Sequence, residues 1–140
     1  MRDDVRRALA IDRTVTIEER TIDITTTGRR SQQLRRIEIC FYRFEDSIYL
    51  SGIPAPRARD WLANLEANPT LIFHLKHSVV ADLAALATVI TGPEQRRRIL
   101  TSFVDDFNYR YGPDSPWPKA VLEEWVEGSP LAEITFVESN

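Results

Sequence analysis

Four arginines, Arg29, Arg30, Arg35 and Arg36, fall within the stretch TTTGRRSQQLRRIEI that runs from residue 25 to residue 39. The chain that carries them is acidic, with 18 Lys and Arg against 21 Asp and Glu and a net charge of −3. Guanidinium groups gathered on a short connection repel one another unless an anion stands between them. A phosphate or carboxylate relieves that repulsion and accepts paired hydrogen bonds from the planar forks. Gly28 lets the backbone approach such a ligand closely, and Ser31 adds a hydroxyl donor. A solvated loop whose arginines pair with surface acids is the competing reading of the same residues. Arg57 and Arg59 weigh toward the anion: they flank the start of the segment DWLANL, and a helix N-terminus attracts anions through its free N–H groups and dipole. The two basic segments face one pocket if the strands between them fold back.

Other reactive side chains read more simply. Cys40 occupies an alternate position in an apolar run, as a small packed thiol does. His74 and His77 stand three apart in a predicted strand and point to opposite faces, which argues against a shared metal. Trp117 and Trp125 read as core or lid-packing residues. The chain has no HExxH, no CxxC pair, no P-loop and no GxSxG elbow, so metalloprotease, zinc, nucleotide-triphosphate and serine-hydrolase chemistry have no support.

The elements that must position the arginines follow from periodicity. Residues 3–10 predict one or two helical turns capped by Asp3 or Asp4. TVTIEERTIDITTT, rich in β-branched residues, predicts two short strands or one bent one around Val15, Ile17, Ile22 and Ile24. RIEICFYRF alternates with Ile37, Ile39 and Phe41 on one face; EDS is a turn and IYLSG the return strand, an antiparallel meander. GIPAP breaks the sheet, and RARDWLANLEANP predicts a helix of about three turns striped by Trp61, Leu62 and Leu65. TLIFHLK is a strand, and VVADLAALATVI suits either helix or strand. The stretch from Gly92 to Gly112 and KAVLEEWVEG are helices, and AEITFVES closes the chain as a strand. About six strands, the early ones too closely spaced for helical crossovers, predict an α+β fold built on a small antiparallel barrel with peripheral helices.

At 140 residues the chain is read as one domain, 1–140, able to bury a core. Its acidity makes nucleic acid an improbable partner. The single cysteine excludes an internal disulfide framework and fits a reducing compartment. With no apolar stretch of membrane-spanning length and no signal-like start, a cytoplasmic location is expected, as a monomer or a homodimer.

TTTGRRS with Arg35 after it, then IYLSG, then DWLANLEANP and a strand, resembles the deazaflavin-dependent nitroreductase family. Its typical pattern is a TTGRKSG-like turn, a Pro-Arg pair, a Ser- or Ala-rich strand end and a WYxNLxANP helix. The likeness runs over residues 20–77; beyond them it is one of architecture. Gln32 stands where the family often has glycine, Leu34 where it has the proline before arginine, and Glu38 where a second proline is common. Cys40 occupies a position where some members have tyrosine, and GIPAP replaces a longer lysine- and glycine-rich stretch.

The resemblance implies a split β-barrel that binds the reduced deazaflavin F420 and passes its hydride to a nitroaromatic, a quinone or an activated enone. Arg29, Arg30, Ser31 and Arg35 would then line the anionic and deazaflavin-facing part of the groove. Ser51 and Gly52 would supply strand-end contacts, and Asp60, Trp61 and Asn64 the helix side. F420 carries a phosphodiester and glutamates, for which the arginines form a cradle. Tyr109 and Tyr111 would donate a proton toward the acceptor oxygen if they fold over the ring. Two alternatives stand beside this: an FMN-binding split-barrel oxidoreductase, whose phosphate suits the same cradle, and a non-catalytic carrier of a cofactor or lipid.

Overall fold

The computed structural model describes residues 1–57 and 59–137. The elements run in the order α1 (Asp3–Leu9), α2 (Ile17–Arg20), β1 (Thr21–Thr27), β2 (Leu34–Phe44), β3 (Ser47–Ser51) and α3 (Asp60–Ala67). They continue with β4 (Thr70–Lys76), β5 (Val80–Val89), α4 (Pro93–Arg110), α5 (Leu122–Gly128) and β6 (Leu131–Phe136). The six strands close into one barrel in the order β1-β2-β3-β6-β5-β4, and every pairing is antiparallel. This is the α+β barrel with peripheral helices that the strand spacing predicts.

Alternation decides what enters the barrel. Along β1, Ile22, Ile24 and Thr26 are buried while Thr21, Asp23, Thr25 and Thr27 are only partly covered. The interior is filled by aromatic side chains meeting edge to face, which suits their quadrupoles: Phe41 on Phe73 at 5.4 Å and Phe73 on Phe136 at 5.2 Å. Opposite these large rings β5 offers Ala85 and Ala87, small enough to let the barrel close. That pairing explains why VVADLAALATVI is a strand despite its helix-forming alanines and leucines: both its edges are bonded, one to β4 and one to β6. α1 and α3 add Val5, Leu9, Trp61 and Leu65 to the same core. A second core, holding Ile99, Leu100, Phe103, Trp125 and Leu131, joins α4 and α5 to the barrel, where Phe103 stacks on Tyr42 at 4.6 Å.

Four expectations need correction. Residues 17–20 form a helical turn, not a strand. Thr16 Oγ1 accepts from the Glu19 N–H at 3.2 Å while the Glu19 carboxylate accepts from the Thr16 N–H at 3.1 Å, a capping box that outweighs the β-branched composition. Neither Asp3 nor Asp4 caps α1; its N-cap is Arg2, and Asp4 lies inside the first turn. α3 is eight residues long, shorter than the three turns expected: its N-cap, Arg59, has extended backbone, and Asn68 before Pro69 ends it. His77 lies beyond the end of β4, so the two histidines do not share a strand.

Candidate anion groove at the end of the barrel

Thr26, near the end of β1, and Gly28, just past it, are buried, and the next residues form a tight turn. The Gly28 N–H donates to Gln33 O at 2.8 Å and the Gln32 N–H to Gly28 O at 2.9 Å. Inside this knot a Cβ on Gly28 would lie 2.6 Å from Ser31 Oγ, so close packing demands glycine there. Gln32 has φ 59°, in the left-handed region that glycine adopts without strain. The turn delivers its arginines over the open end of the barrel, against the first turns of α3. The resulting groove, of about 480 Å³, is lined by Thr26, Gly28, Arg29, Arg30, Ser31, Arg35, Ile37, Arg59, Asp60, Trp61 and Asn64.

Seven of the residues expected to meet here do so: Arg29, Arg30, Ser31, Arg35, Asp60, Trp61 and Asn64. Their environments differ. Asn64 is 6% exposed, and its Oδ1 accepts from both the Arg29 N–H and Arg29 Nη1 at 3.1 Å each. Arg29 Nη2 lies 3.6 Å from Asp60 Oδ1, one helical turn from Asn64 on the same face. Trp61, 8% exposed, is shared between the groove wall and the core. Among the described residues neither the Arg30 nor the Arg35 side chain has a hydrogen-bond or ion-pair partner.

Arg36 points away from the groove. Its Nε donates to Asp23 Oδ2 at 3.0 Å on the outer face of the sheet. There Asp23 also accepts from Lys76 Nζ at 2.8 Å, and Lys76 pairs in turn with Glu38. The Lys76 hydrogen bond holds the Asp23 carboxyl below its usual pKa, with Arg36 adding to the effect. The same bond, then that from Glu38, raises Lys76.

Ser51 and Gly52 stand behind the groove. The Ser51 hydroxyl, buried, donates to Pro130 O at 2.7 Å and so ties β3 to the entry of β6. A Cβ on Gly52 would sit 2.8 Å from Arg59 Nη1, so this glycine makes room for the Arg59 guanidinium, which donates to Ile53 O at 2.6 Å. Arg59 is the groove residue that the family pattern did not supply; its place beside the helix start was the signal. Arg57 faces a neighbouring cavity with Glu66 and Glu127.

Tyr109 and Tyr111 are not in the groove. Tyr109 is 55% exposed with Arg13 over its ring at 4.5 Å, and Tyr111 packs on Phe107 at 4.7 Å. Their neighbour Arg110 donates to Val15 O, before the start of β1, whereas the groove lies past its other end. The length of β1 separates them by roughly 20 Å. Tyr42, with a phenol pushed up to about 12 chiefly by burial, stacks within the second core.

Elsewhere, Cys40 lies on the outer face with its Sγ 3.7 Å from Thr21 Oγ1. His74 bridges Asp82, through Nδ1 at 2.7 Å, and Thr25, through Nε2 at 2.7 Å. Among the described residues no cluster of three or more His, Cys, Asp or Glu side chains suits a metal ion, and no helix is long and apolar enough to cross a membrane.

Among the described residues the groove is lined by two guanidinium groups without a side-chain partner, by Trp61 and by a single acid, Asp60, a lining that can accept an anion. Comparison with known proteins gives this chemistry a context. A conserved hypothetical protein from Mycobacterium tuberculosis superposes with a TM-score of 0.66 at 15% identity, over 99% of this chain and 82% of that one. An F420-H2 dependent reductase superposes with a TM-score of 0.51 at 18% identity, over 83% and 94%. A NimC/NimA family protein from Clostridium acetobutylicum does so with a TM-score of 0.58 at 12% identity, over 95% and 83%. These likenesses show the split-barrel fold. No curated protein matches the chain in sequence. The family model for the F420H(2)-dependent quinone reductases matches residues 3–124. The chain belongs to that family, and is an oxidoreductase whose cofactor is F420.

Proposed function

We propose that this reductase passes a hydride from reduced F420 to a small-molecule acceptor of the quinone, nitroaromatic or activated-enone class, with the cofactor's anionic part seated in the arginine groove. The observation that carries the reading is the pair Arg30 and Arg35, two cations with no counter-ion among the described residues, lining a groove of about 480 Å³. Unpaired guanidinium groups held together are costly unless an anion joins them, and phosphate accepts their forks in pairs. Trp61 supplies an apolar wall, and Thr26 and Ser31 supply hydroxyls. When bound, F420 brings the hydride chemistry itself, so the chain's part is to bind, to orient and to keep water from the reacting face.

A carrier that holds the cofactor without turning it over is the outcome that would contradict this reading. Oxidation of reduced F420 followed by absorbance, with menadione and a nitroaromatic as acceptors, separates the two. Turnover with either acceptor supports the reductase. Tight binding of F420 without turnover on a quinone, a nitroaromatic or, tested in addition, an activated enone supports the carrier. Binding of FMN in preference to F420 contradicts both readings.

A further inference from the structure

We infer that the four arginines of the turn do three different jobs: Arg29 braces the turn through Asn64, Arg36 belongs to the outer sheet, and only Arg30 and Arg35 meet the anion. The argument starts from the donors each one has left. Arg29 places its backbone N–H and Nη1 on a single oxygen of Asn64, which is almost wholly buried, and its Nη2 toward Asp60. A carboxamide oxygen has two lone pairs, and both are taken by this one arginine. The contact joins residue 29 to residue 64, so it fixes the arginine turn to α3 rather than to a ligand. Arg36 is committed to Asp23 within the Asp23–Lys76–Glu38 network. The Arg30 and Arg35 side chains have no partner among the described residues, and both line the groove, Arg30 from within the turn closed by Gly28 and Gln33 and Arg35 from the start of β2. Asn64 and Arg29 are positioning residues: they act on the anion through the place they give to Arg30 and Arg35.

The assignment of Arg30 and Arg35 rests on the F420 reading above; the brace does not, and the experiment keeps them apart. Its first arm needs no ligand. Thermal unfolding is compared for Arg29→Gln, Asn64→Leu, their double variant, Arg30→Gln and Arg35→Gln. Losing a buried hydrogen-bonded contact lowers Tm by about 3 °C or more in a chain of this size. The double variant melts no lower than the weaker single, because both changes remove one contact. Asn64→Asp, which keeps the accepting oxygen, restores what Asn64→Leu loses. Arg30→Gln and Arg35→Gln leave Tm unchanged or raise it by relieving repulsion. Additive losses for Arg29 and Asn64 overturn the brace.

The second arm follows F420 fluorescence at two salt concentrations. Arg30→Gln and Arg35→Gln each weaken binding by about tenfold or more and flatten its salt dependence. Asn64→Leu, which changes no charge, weakens binding but keeps the wild-type salt dependence, measured at a temperature where the melting data show the variant folded. Wild-type affinity in both Arg30→Gln and Arg35→Gln overturns their assignment. A wild-type protein that binds no F420 overturns the cofactor reading and that assignment, while the melting data still decide the brace.

Discussion

At the scale of single residues, Arg35 and Trp61 carry the clearest expectations. The Arg35 side chain has no partner among the described residues, so Arg35→Ala removes a charge-assisted contact to the ligand without orphaning a neighbour. It should weaken F420 binding by about 1–3 kcal/mol. Unchanged affinity in a folded variant, measured by fluorescence titration, contradicts this. Trp61 is buried against Leu65 and the barrel interior, and Trp61→Ala should cost roughly 3–5 kcal/mol of stability in urea unfolding. A loss under about 1 kcal/mol would mean that the groove wall does not depend on the ring. What the residues themselves disclosed was their type and crowding: four arginines after a glycine asked for an anion. Which of them are free was not legible, because it is settled by partners distant in sequence. Asp23 takes Arg36 across the β1–β2 register, and Asn64 takes Arg29 from α3. For the same reason Gly52 was read as a contact, although its role is to leave space for Arg59.

At the scale of elements, the turn and the outer sheet make separate predictions. Gln32 holds a left-handed backbone, within the bond from its N–H to Gly28 O, and its side chain donates to Arg29 O at 3.3 Å. Gln32→Gly should raise stability by about 0.5–1 kcal/mol, the relief of left-handed strain less the entropy glycine gains when unfolded. A destabilised variant in urea unfolding would show that the side-chain bond outweighs the strain. On the outer face, Lys76 lowers Asp23, and Asp23 raises Lys76. A carboxyl held below its unfolded value, about 3.9, contributes stability above that pH and loses it as pH falls through the depressed value. A lysine raised above about 10.4 contributes below that pH and loses it as pH rises through the elevated value. The network that ties β2, β1 and β4 is thus intact across the neutral range. Asp23→Asn should flatten the fall in Tm below about pH 4; an acid limb identical to wild type contradicts the assignment. Legibility varied by element for physical reasons. β4 and α4 declare themselves through alternation and through Pro93 at a helix start. β5 does not, since its alanines serve closure of the barrel, a demand set by Phe41 and Phe73 elsewhere in the chain. The capping box of Thr16 and Glu19 was present in the sequence, masked by the β-branched residues around it.

At the scale of the whole molecule, closure of six antiparallel strands puts the arginine turn and α3 at one end of the barrel, and α1 beside Thr21 and Leu75 at the other. Order along the chain favours the hairpin pairings β1-β2, β2-β3 and β4-β5, whose strands are neighbours, whereas β1-β4, β3-β6 and β5-β6, which close the barrel, join distant segments. The remote placement of Tyr109 and Tyr111 was not predictable, since it depends on how α4 lies over the sheet, with Phe103 against Tyr42 and Arg110 against Val15. The architecture therefore separates an anion groove from the aromatic cluster on α4, and the claim that joins fold to function is that this groove holds F420. The most direct measurement is F420 binding to the purified chain by fluorescence at about 50 mM and about 500 mM salt, over which the screening length falls severalfold. The groove reading predicts saturable binding that weakens markedly at the higher salt. Absence of binding, or binding indifferent to salt, contradicts it.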